Sequence, residues 1–275
     1  MPQAKSELRE MVAMRSVHDA ASYPPAECER MVDYLVDVFT DVGLEDVRAY
    51  PTTDGSRAVY GHRAGPAGSP TVLLYFHHDV QPPLDESAWE TPVWELTERD
   101  GRWYGRGAAD CKGNIAVHLT ALRALTGDLP VSVKVLGGGS EEQRTGGLEA
   151  FVAENTELLA ADAILVGDAG NVAVGTPSLT GSGRGMVARP GHTTMTGAMR
   201  DAYGVAPVFQ GEDGPISRGQ VFAATFPRAE VMLLGVEEPL CLIHAPNESV
   251  DPSEIANMAL VEALFLQRYA AAVAS

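Results

Sequence analysis

The sequence predicts an α/β protein, a three-layer α/β/α sandwich around a mixed, largely parallel sheet. Apolar runs of strand length alternate along the chain with segments whose apolar residues recur at helical spacing. The runs are apolar throughout, which is typical of strands covered on both faces. A length of 275 residues and a hydrophobic content of 45% suit a globular protein with one large domain or two small ones.

The first half of the chain contains three clear elements. A helix is predicted over residues 24–42, where an apolar stripe follows two prolines. The run TVLLYF, residues 71–76, predicts a buried strand. Residues 94–104 predict two short strands joined at Asp100 and Gly101, a pair typical of tight hairpin turns.

The second half continues the alternation. Helices are predicted over residues 114–125, 147–159 and 252–273, and strands over residues 131–136, 161–166, 231–234 and 240–243. Asp251 and Pro252 provide a cap and a first helical residue for the last helix. Residues 176–222 interrupt the pattern because they are rich in Gly, Thr and Ser, and residues 181–183 (GSG) are typical of a flexible linker.

The charge balance of the chain argues against two classes of protein. The chain has 20 Lys and Arg against 37 Asp and Glu, a net charge of −17. That excess argues against binding to nucleic acid or to anionic lipid. The polar amino-terminal residues are unlike a signal peptide, no apolar run has the length of a membrane span, and three cysteines are too few for a disulfide framework. We therefore expect an acidic cytoplasmic protein.

Acidic residues and histidines cluster where predicted strands end, the edge at which α/β sheets build their sites. His77 and Asp79 are two apart in an extended segment and point to the same side, so Asp79 could accept the second ring N–H of a metal-binding His77. Glu141 and Glu142 would repel each other unless a cation or proton intervenes. One could bind a metal while the other acts as a base on water.

Three further positions are weaker signals by themselves. Asp110 lies in a glycine-rich segment before a helix, Asp168 follows the strand over 161–166, and His244 follows the strand over 240–243. Each alone is more often structural. Together, oxygen and imidazole donors without a thiolate pair suit zinc or a similar divalent ion, and five ligands that share one carboxylate suit two ions about 3.5–4 Å apart. Cys111 is expected to be a packed residue.

Five ordered segments resemble the M20 family of co-catalytic zinc metallopeptidases. They are FHHDVQPP (76–83), YGRGAADCKG (104–113), GSEEQRTGG (139–147), VGDAG (166–170) and HAPNESV (244–250). The first two are most similar to the dipeptidase branch, which includes carnosinase-like enzymes. The resemblance implies a zinc-exopeptidase-like fold and hydrolysis of a small peptide or N-acyl amino acid.

The resemblance also implies roles for individual residues. One metal ion would be held by His77, Asp110 and Asp168, and the second by Asp110, Glu142 and His244, with Asp110 bridging. Asp79 would orient His77, and Glu141 would be the general base that moves a proton from water to the leaving amine. The two ions would be Zn²⁺, with Co²⁺ or Mn²⁺ as alternatives.

The sequence departs from the family where a second domain is expected. Full-length relatives insert a lid between the positions of Asp168 and His244, and this lid mediates dimerisation and delivers a histidine to the site. Here that interval is too short. We therefore predict a single catalytic domain over residues 1–275, a monomer, with a short linker or deletion joint near residues 180–190 and a catalytic-domain helix from about residue 190. His192 is not expected to replace the lid histidine.

A second departure concerns substrate anchoring. Dipeptidase relatives have a Gly-Gly-Ser type of loop near residues 210–216, where this chain has Pro215 in place of a serine. Glu212 and Asp213 would repel a substrate carboxylate. Three other functions therefore stay open: a catalytically inactive metal-binding scaffold, a lidless aminopeptidase-like enzyme, and an interaction protein that uses the surface left by the lid.

Overall fold

The structure is a computed structural model that describes residues 1–125, 127, 129–181, 189–211 and 218–275. The helices are α1 (Pro2–Val12), α2 (Pro25–Asp41), α3 (Lys112–Ala124), α4 (Gly147–Glu154), α5 (Thr156–Leu159), α6 (Pro190–Tyr203), α7 (Arg218–Thr225) and α8 (Pro252–Val273). The strands are β1 (Glu45–Pro51), β2 (Arg57–Arg63), β3 (Thr71–His77), β4 (Thr97–Arg99), β5 (Arg102–Tyr104), β6 (Ser132–Gly138), β7 (Ala163–Gly167), β8 (Ser178–Gly181), β9 (Val208–Gly211), β10 (Glu230–Leu234) and β11 (Ser249–Val250).

The larger sheet has the strand order β1-β2-β6-β3-β7-β10-β8-β9. Its centre, β6-β3-β7-β10, is parallel. Antiparallel pairing joins β1 to β2, β2 to β6 and β8 to β10, and β9 is parallel to β8. A smaller antiparallel sheet has the order β11-β5-β4. The sheet is therefore mixed and largely parallel, as predicted.

Helices cover both faces of the larger sheet. In β3, Val72, Leu74 and Phe76 pack into the core formed with α1, α2, α3, α6 and α8. The alternate residues Leu73 and Tyr75 pack into a second core formed with α4, α5 and α7. All five side chains are fully buried, because successive residues of a strand point to opposite faces. The predicted three-layer α/β/α sandwich is confirmed.

Most predicted elements form close to their expected bounds. The hairpin turn is tight: Arg99 pairs with Arg102, and Asp100 and Gly101 have φ of 50° and 80°. A positive φ at both central residues is what a type I′ turn requires. The helix predicted over 147–159 is divided at Asn155 into α4 and α5.

The strand predicted over residues 240–243 is wrong. Leu242 and His244 have φ of 52° and 63°, the left-handed region that no strand adopts. Leu240, Leu242 and Ile243 are 64%, 50% and 40% exposed, and Cys241 is the one residue of the run that packs into the core. Both edges of β10, the preceding strand, are already paired with β7 and β8. This segment is a surface turn that leads to His244.

The irregular stretch from residue 176 contains more order than its composition indicates. The helix predicted from residue 190 forms as α6. The elements β9 and α7 were not predicted because each is short, and α7 has one fully buried large side chain, Phe222. The proposed joint near 180–190 and the loop over 210–216 fall mostly outside the described residues, so these predictions and the single-domain prediction remain predictions.

Among the helices described, none has the length and apolarity to cross a membrane.

Candidate metal centre

The central strands bring four predicted site residues to one edge of the sheet. His77 is the last residue of β3, Asp168 directly follows β7, and Glu141 and Glu142 follow β6 after a short turn. These three strands are parallel neighbours, so their carboxyl ends meet where α/β proteins build binding sites.

The imidazole of His77 lies between three carboxylates and is fully buried. Its Nε2 is 2.9 Å from Oδ1 of Asp110 and 3.8 Å from Oδ1 of Asp168. On the other side of the ring, Nδ1 is 3.4 Å from Oδ1 of Asp79 and 3.1 Å from the Asp79 carbonyl oxygen. An Nδ1–H donated to Asp79 leaves Nε2 free to bind a cation.

The second histidine approaches Asp110 from the opposite side. Nε2 of His244 is 2.9 Å from Oδ2 of Asp110 and 3.2 Å from Oε2 of Glu142. Each oxygen of the Asp110 carboxylate therefore faces a different histidine. Gln81, to which the sequence assigned no role, donates from Nε2 to Oε2 of Glu142 at 2.9 Å.

Asp79 also holds the loop that contains the two glutamates. The backbone N–H groups of Glu141 and Glu142 donate to Oδ1 and Oδ2 of Asp79, both at 3.0 Å. Glu141 lies beside the first histidine, since His77, Glu141 and Asp168 each offer an atom within 4.8 Å of the others. One buried carboxylate thus fixes both the ring of His77 and the loop that follows β6.

Glu248 fixes the loop that presents Asp110, a role that the sequence reasoning missed. Its buried carboxylate accepts the backbone N–H groups of Gly107, Ala109 and Asp110 at 2.9, 3.0 and 3.0 Å. It also accepts from Nη1 of Arg106 at 2.7 Å. Glu248 lies in the HAPNESV segment, directly before a buried strand. That strand has only two residues, so its burial could not be predicted from the sequence.

Negative charge dominates the electrostatics of the site. Burial, followed by the repulsion of neighbouring carboxylates including Asp110 and Glu141, raises the pKa of Asp168 to about 7. Hydrogen bonds to Asp110 and Glu142 raise the pKa of His244 to about 10. Oε1 of Glu142 is buried without a hydrogen-bond partner among the residues described. Such an excess of carboxylates and imidazoles fits divalent metal ions, which would neutralise the charge and use the free oxygen.

Two further residues lie near the site, Cys111 as predicted and Glu237 without a prediction. Cys111 is buried, as predicted, and its Sγ donates to the Gly167 carbonyl at 3.0 Å. Glu237 was not considered, yet Asp110, Asp168 and Glu237 each offer a carboxylate oxygen within 4.8 Å of the others. It follows β10 by two residues, so applying the strand-end rule to residues 231–234 would have found it.

His192 lies away from this site. Its Nδ1 is 3.2 Å from Oε2 of Glu230, and Glu230 is the first residue of β10, at the opposite edge of the sheet. His118 pairs with Glu262 in the core at 2.6 Å. Neither histidine joins the cluster at the carboxyl ends of the strands.

Comparison with known proteins identifies the family. Residues 73–268 match the family described as "Peptidase family M20/M25/M40", which is more than half of the chain. The chain belongs to the M20 family. The resemblance drawn from the five sequence segments is therefore confirmed.

Several of the relatives that the chain matches are dipeptidases. A cysteinylglycine-S-conjugate dipeptidase from Corynebacterium striatum is 42% identical over 182 residues, which are 65% of this chain and 40% of that protein. A Beta-Ala-His dipeptidase from Rattus norvegicus is 40% identical over 121 residues, 42% of this chain and 25% of that protein. The chain thus spans less than half the length of either relative.

Solved M20 structures share the fold. An M20 metallo-carboxypeptidase from Sulfolobus solfataricus superposes with a TM-score of 0.88 at 16% identity, covering 98% of this chain and 100% of that chain. Human carnosine dipeptidase 1 superposes with a TM-score of 0.81 at 16% identity, covering 98% and 96%. At these identities the likeness shows the architecture alone.

Proposed function

We propose that this M20 chain is a two-metal hydrolase of small peptide or N-acyl amide bonds. The observation that supports this most strongly is the position of Asp110. Its two carboxylate oxygens each lie 2.9 Å from Nε2 of a different histidine, His77 and His244. A carboxylate placed between two imidazoles in this way is suited to bridge two cations.

The proposed ligands form two sets that share Asp110. One set is His77, Asp110 and Asp168, and the other is Asp110, Glu142 and His244. Zn²⁺ suits these nitrogen and oxygen donors, and Co²⁺ and Mn²⁺ suit them as well. When bound, such a metal pair polarises the scissile carbonyl and acidifies water at the site.

Side chains of the protein transfer the proton of the attacking water. Glu141 lies within 4.8 Å of ligand atoms of His77 and Asp168, where it accepts a proton from the attacking water. The water oxygen bonds to the carbonyl carbon, the C–N bond breaks, and Glu141 returns the proton to the departing nitrogen. Asp79 acts through His77 by holding its Nδ1–H and through Glu141 by holding its backbone N–H.

Dipeptides are the proposed substrates because the named relatives are dipeptidases. We also propose a cytoplasmic monomer with a single catalytic domain and no lid. The loss of the histidine that a lid delivers would resemble the loss of an oxyanion donor, which lowers kcat by about 10²–10³. The chain is therefore expected to hydrolyse ordinary dipeptides slowly.

The test combines metal analysis with a dipeptide panel. Wild-type protein should bind two metal ions per chain and hydrolyse at least one dipeptide. Glu141→Gln should keep both ions and lose about 10²–10⁴ in kcat. Glu154→Gln, an equal charge change on the exposed surface of α4, should leave both readings unchanged.

Two results would contradict the proposal. If the wild type binds two ions and Glu141→Gln leaves the turnover unchanged, Glu141 is not the base. If the wild type binds two ions and hydrolyses nothing in the panel, the chain is the inactive metal-binding scaffold considered from the sequence.

A further inference from the structure

We propose that Glu237 is an additional metal-ligating residue of this site, which adds a third carboxylate beside Asp110 and Asp168. This inference rests on the two-metal site proposed above. It concerns a residue outside the ligand sets that the M20 resemblance implies.

The backbone places Glu237 firmly at the metal edge of the sheet. β10 is the parallel neighbour of β7, and Leu234 is paired with Gly167, so the residues after both strands lie side by side. The N–H of Asn171 donates to the Glu237 carbonyl at 2.5 Å, and the N–H of Val236 donates to Oδ1 of Asn114 at 3.0 Å. Glu237 is therefore held from the loop after β7 and from α3.

One oxygen of the Glu237 side chain is fixed and the other is free. Nδ2 of Asn114 donates to Oε1 at 2.5 Å. Oε2 is buried and has no hydrogen-bond partner within the described part of the chain, and the residue is only 6% exposed. An unpaired carboxylate oxygen in such a place is costly, so it calls for a partner that the protein itself does not supply.

The carboxylate of Glu237 also lies close to two of the proposed ligands. Asp110, Asp168 and Glu237 each offer an oxygen within 4.8 Å of the others. Gly235 keeps space for this arrangement, because a Cβ there would lie 2.3 Å from Oε2 of Glu237. Two buried carboxylates and the partly buried Asp168 this close repel each other unless a cation or a proton intervenes, and a divalent ion also satisfies Oε2.

The added carboxylate changes the class of ion that the site favours. With Glu237, the ion near His77 and Asp168 would have one imidazole and several carboxylate donors. Oxygen-rich sets suit Mn²⁺, which takes more ligands than tetrahedral Zn²⁺. Glu237 should therefore matter more for Mn²⁺ than for Zn²⁺.

The experiment measures metal binding and coordination rather than turnover. Mn²⁺ is titrated into metal-free protein, with free Mn²⁺ followed by its electron paramagnetic resonance signal, and the d–d absorption of Co²⁺-loaded protein is recorded. Glu237→Gln keeps the oxygen that Asn114 binds and replaces the free oxygen with an amide. We expect one of two Mn²⁺ sites to weaken by about tenfold or more, and the Co²⁺ spectrum to intensify as one ligand is lost.

The neighbouring Glu238 provides a matched control. It is also buried, but Oε1 pairs with Arg102 at 2.6 Å and Oε2 accepts the Leu240 N–H at 2.8 Å. Glu238→Gln should leave Mn²⁺ affinity and the Co²⁺ spectrum unchanged. If Glu237→Gln does not fold, Glu237→Asp keeps the charge and moves the carboxylate back by the length of one methylene group. Weaker Mn²⁺ binding and a more intense Co²⁺ spectrum are expected for this variant as well.

The outcomes separate this inference from the proposed function. Unchanged Mn²⁺ affinity in the Glu237 variants overturns the ligand role, and so does weaker affinity with an unchanged Co²⁺ spectrum, because Glu237 would then act only by positioning other groups. A wild-type chain that binds no metal overturns the two-metal function itself.

Discussion

At the scale of single residues, the site depends on buried carboxylates that never need to touch a substrate. Asp79 holds His77 and the backbone of Glu141 and Glu142, and Glu248 holds the loop that ends at Asp110. Both are buried, and each satisfies several donors at once. Such fully bonded carboxylates fix the positions of ligands that would otherwise repel one another.

Glu248→Gln should lower the free energy of unfolding by more than the loss of an ordinary hydrogen bond does. The change removes the charge that pairs with the buried Arg106 guanidinium at 2.7 Å, and disrupting a buried pair costs about 3–5 kcal/mol. The new amide NH₂ must also face donors, either Arg106 and Gly107 or the Ala109 and Asp110 backbone, so the Asp110 loop should shift and metal affinity should fall by about 10–100-fold. Urea unfolding and metal titration measure the two effects.

The control for this variant is Glu230→Gln, which removes another buried carboxylate with several donors at the opposite edge of the sheet. It should lower the stability and leave metal affinity unchanged. Equal losses of metal affinity in both variants would show that the effect of Glu248 is general destabilisation.

At the scale of elements, Asp54 joins the β1–β2 turn to the loop that follows β6. Its carboxylate accepts from Thr52 and Ser56 within the turn, at 2.6 and 2.8 Å. It also accepts from the Ser140 hydroxyl at 2.6 Å, from the Thr145 hydroxyl, and from the Gly147 N–H at 3.2 Å. The glutamates of the metal site lie between these last contacts.

Asp54→Asn should destabilise the protein in a pH-dependent way. Burial acts to raise the pKa of Asp54, but the hydrogen bonds from Ser140, Thr145, Thr52 and Ser56 outweigh it and hold the pKa well below its ordinary value. A lowered folded-state pKa stabilises above the unfolded pKa of about 3.9, and that stability is lost as the pH falls towards the folded value. The free energy of unfolding of the variant should therefore be about 2 kcal/mol lower than that of the wild type at pH 7. This difference should shrink as the pH falls below about 4.

Urea unfolding from pH 7 to pH 2 measures this gap. Asp33→Asn, on an exposed face of α2, is the control and should show no comparable gap. A difference for Asp54→Asn that is the same at pH 7 and at pH 2 would contradict the assigned role.

Burial on both faces made some strands easy to predict from the sequence, although β2, which is also largely buried, was not predicted. β3 is buried on both faces, so its six-residue apolar run was sufficient. Residues 240–243 have similar composition, but three of the four are exposed and the segment is not a strand, because pairing partners for a strand are decided by the whole sheet and not by the run itself. Glu237 could have been proposed from its place just after β10, but its proximity to Asp168 follows from the pairing of β10 with β7, a contact between distant parts of the chain.

At the scale of the whole molecule, metal binding should contribute measurably to stability. A ligand present at one hundred times its dissociation constant adds about 2.7 kcal/mol, and each kcal/mol raises the Tm of a protein of this size by about 2–4 °C. Saturating Zn²⁺ should therefore raise the Tm of metal-free protein by about 5–10 °C, and a chelator should reverse the shift. Differential scanning fluorimetry measures it.

Asp110→Asn tests the origin of that shift. It removes the charge that both proposed metal sites share, so most of the thermal shift should disappear. The net charge of −17 makes nonspecific cation binding a competing cause. If the Tm of the Asp110 variant rises as much as that of the wild type, the stabilisation comes from cations bound to the acidic surface.

The order of strands in the sheet also affects how the protein is made. β10 lies between β7 and β8, yet it comes after both in the chain. While a ribosome is still synthesising residues before 230, β7 presents an unpaired apolar edge, and such edges invite association with other chains. Glu237, His244 and Glu248 emerge later still, so a nascent chain holds Asp110 and Asp168 without these three neighbours. We therefore expect newly made chains to depend on chaperones until this last segment is inserted into the sheet.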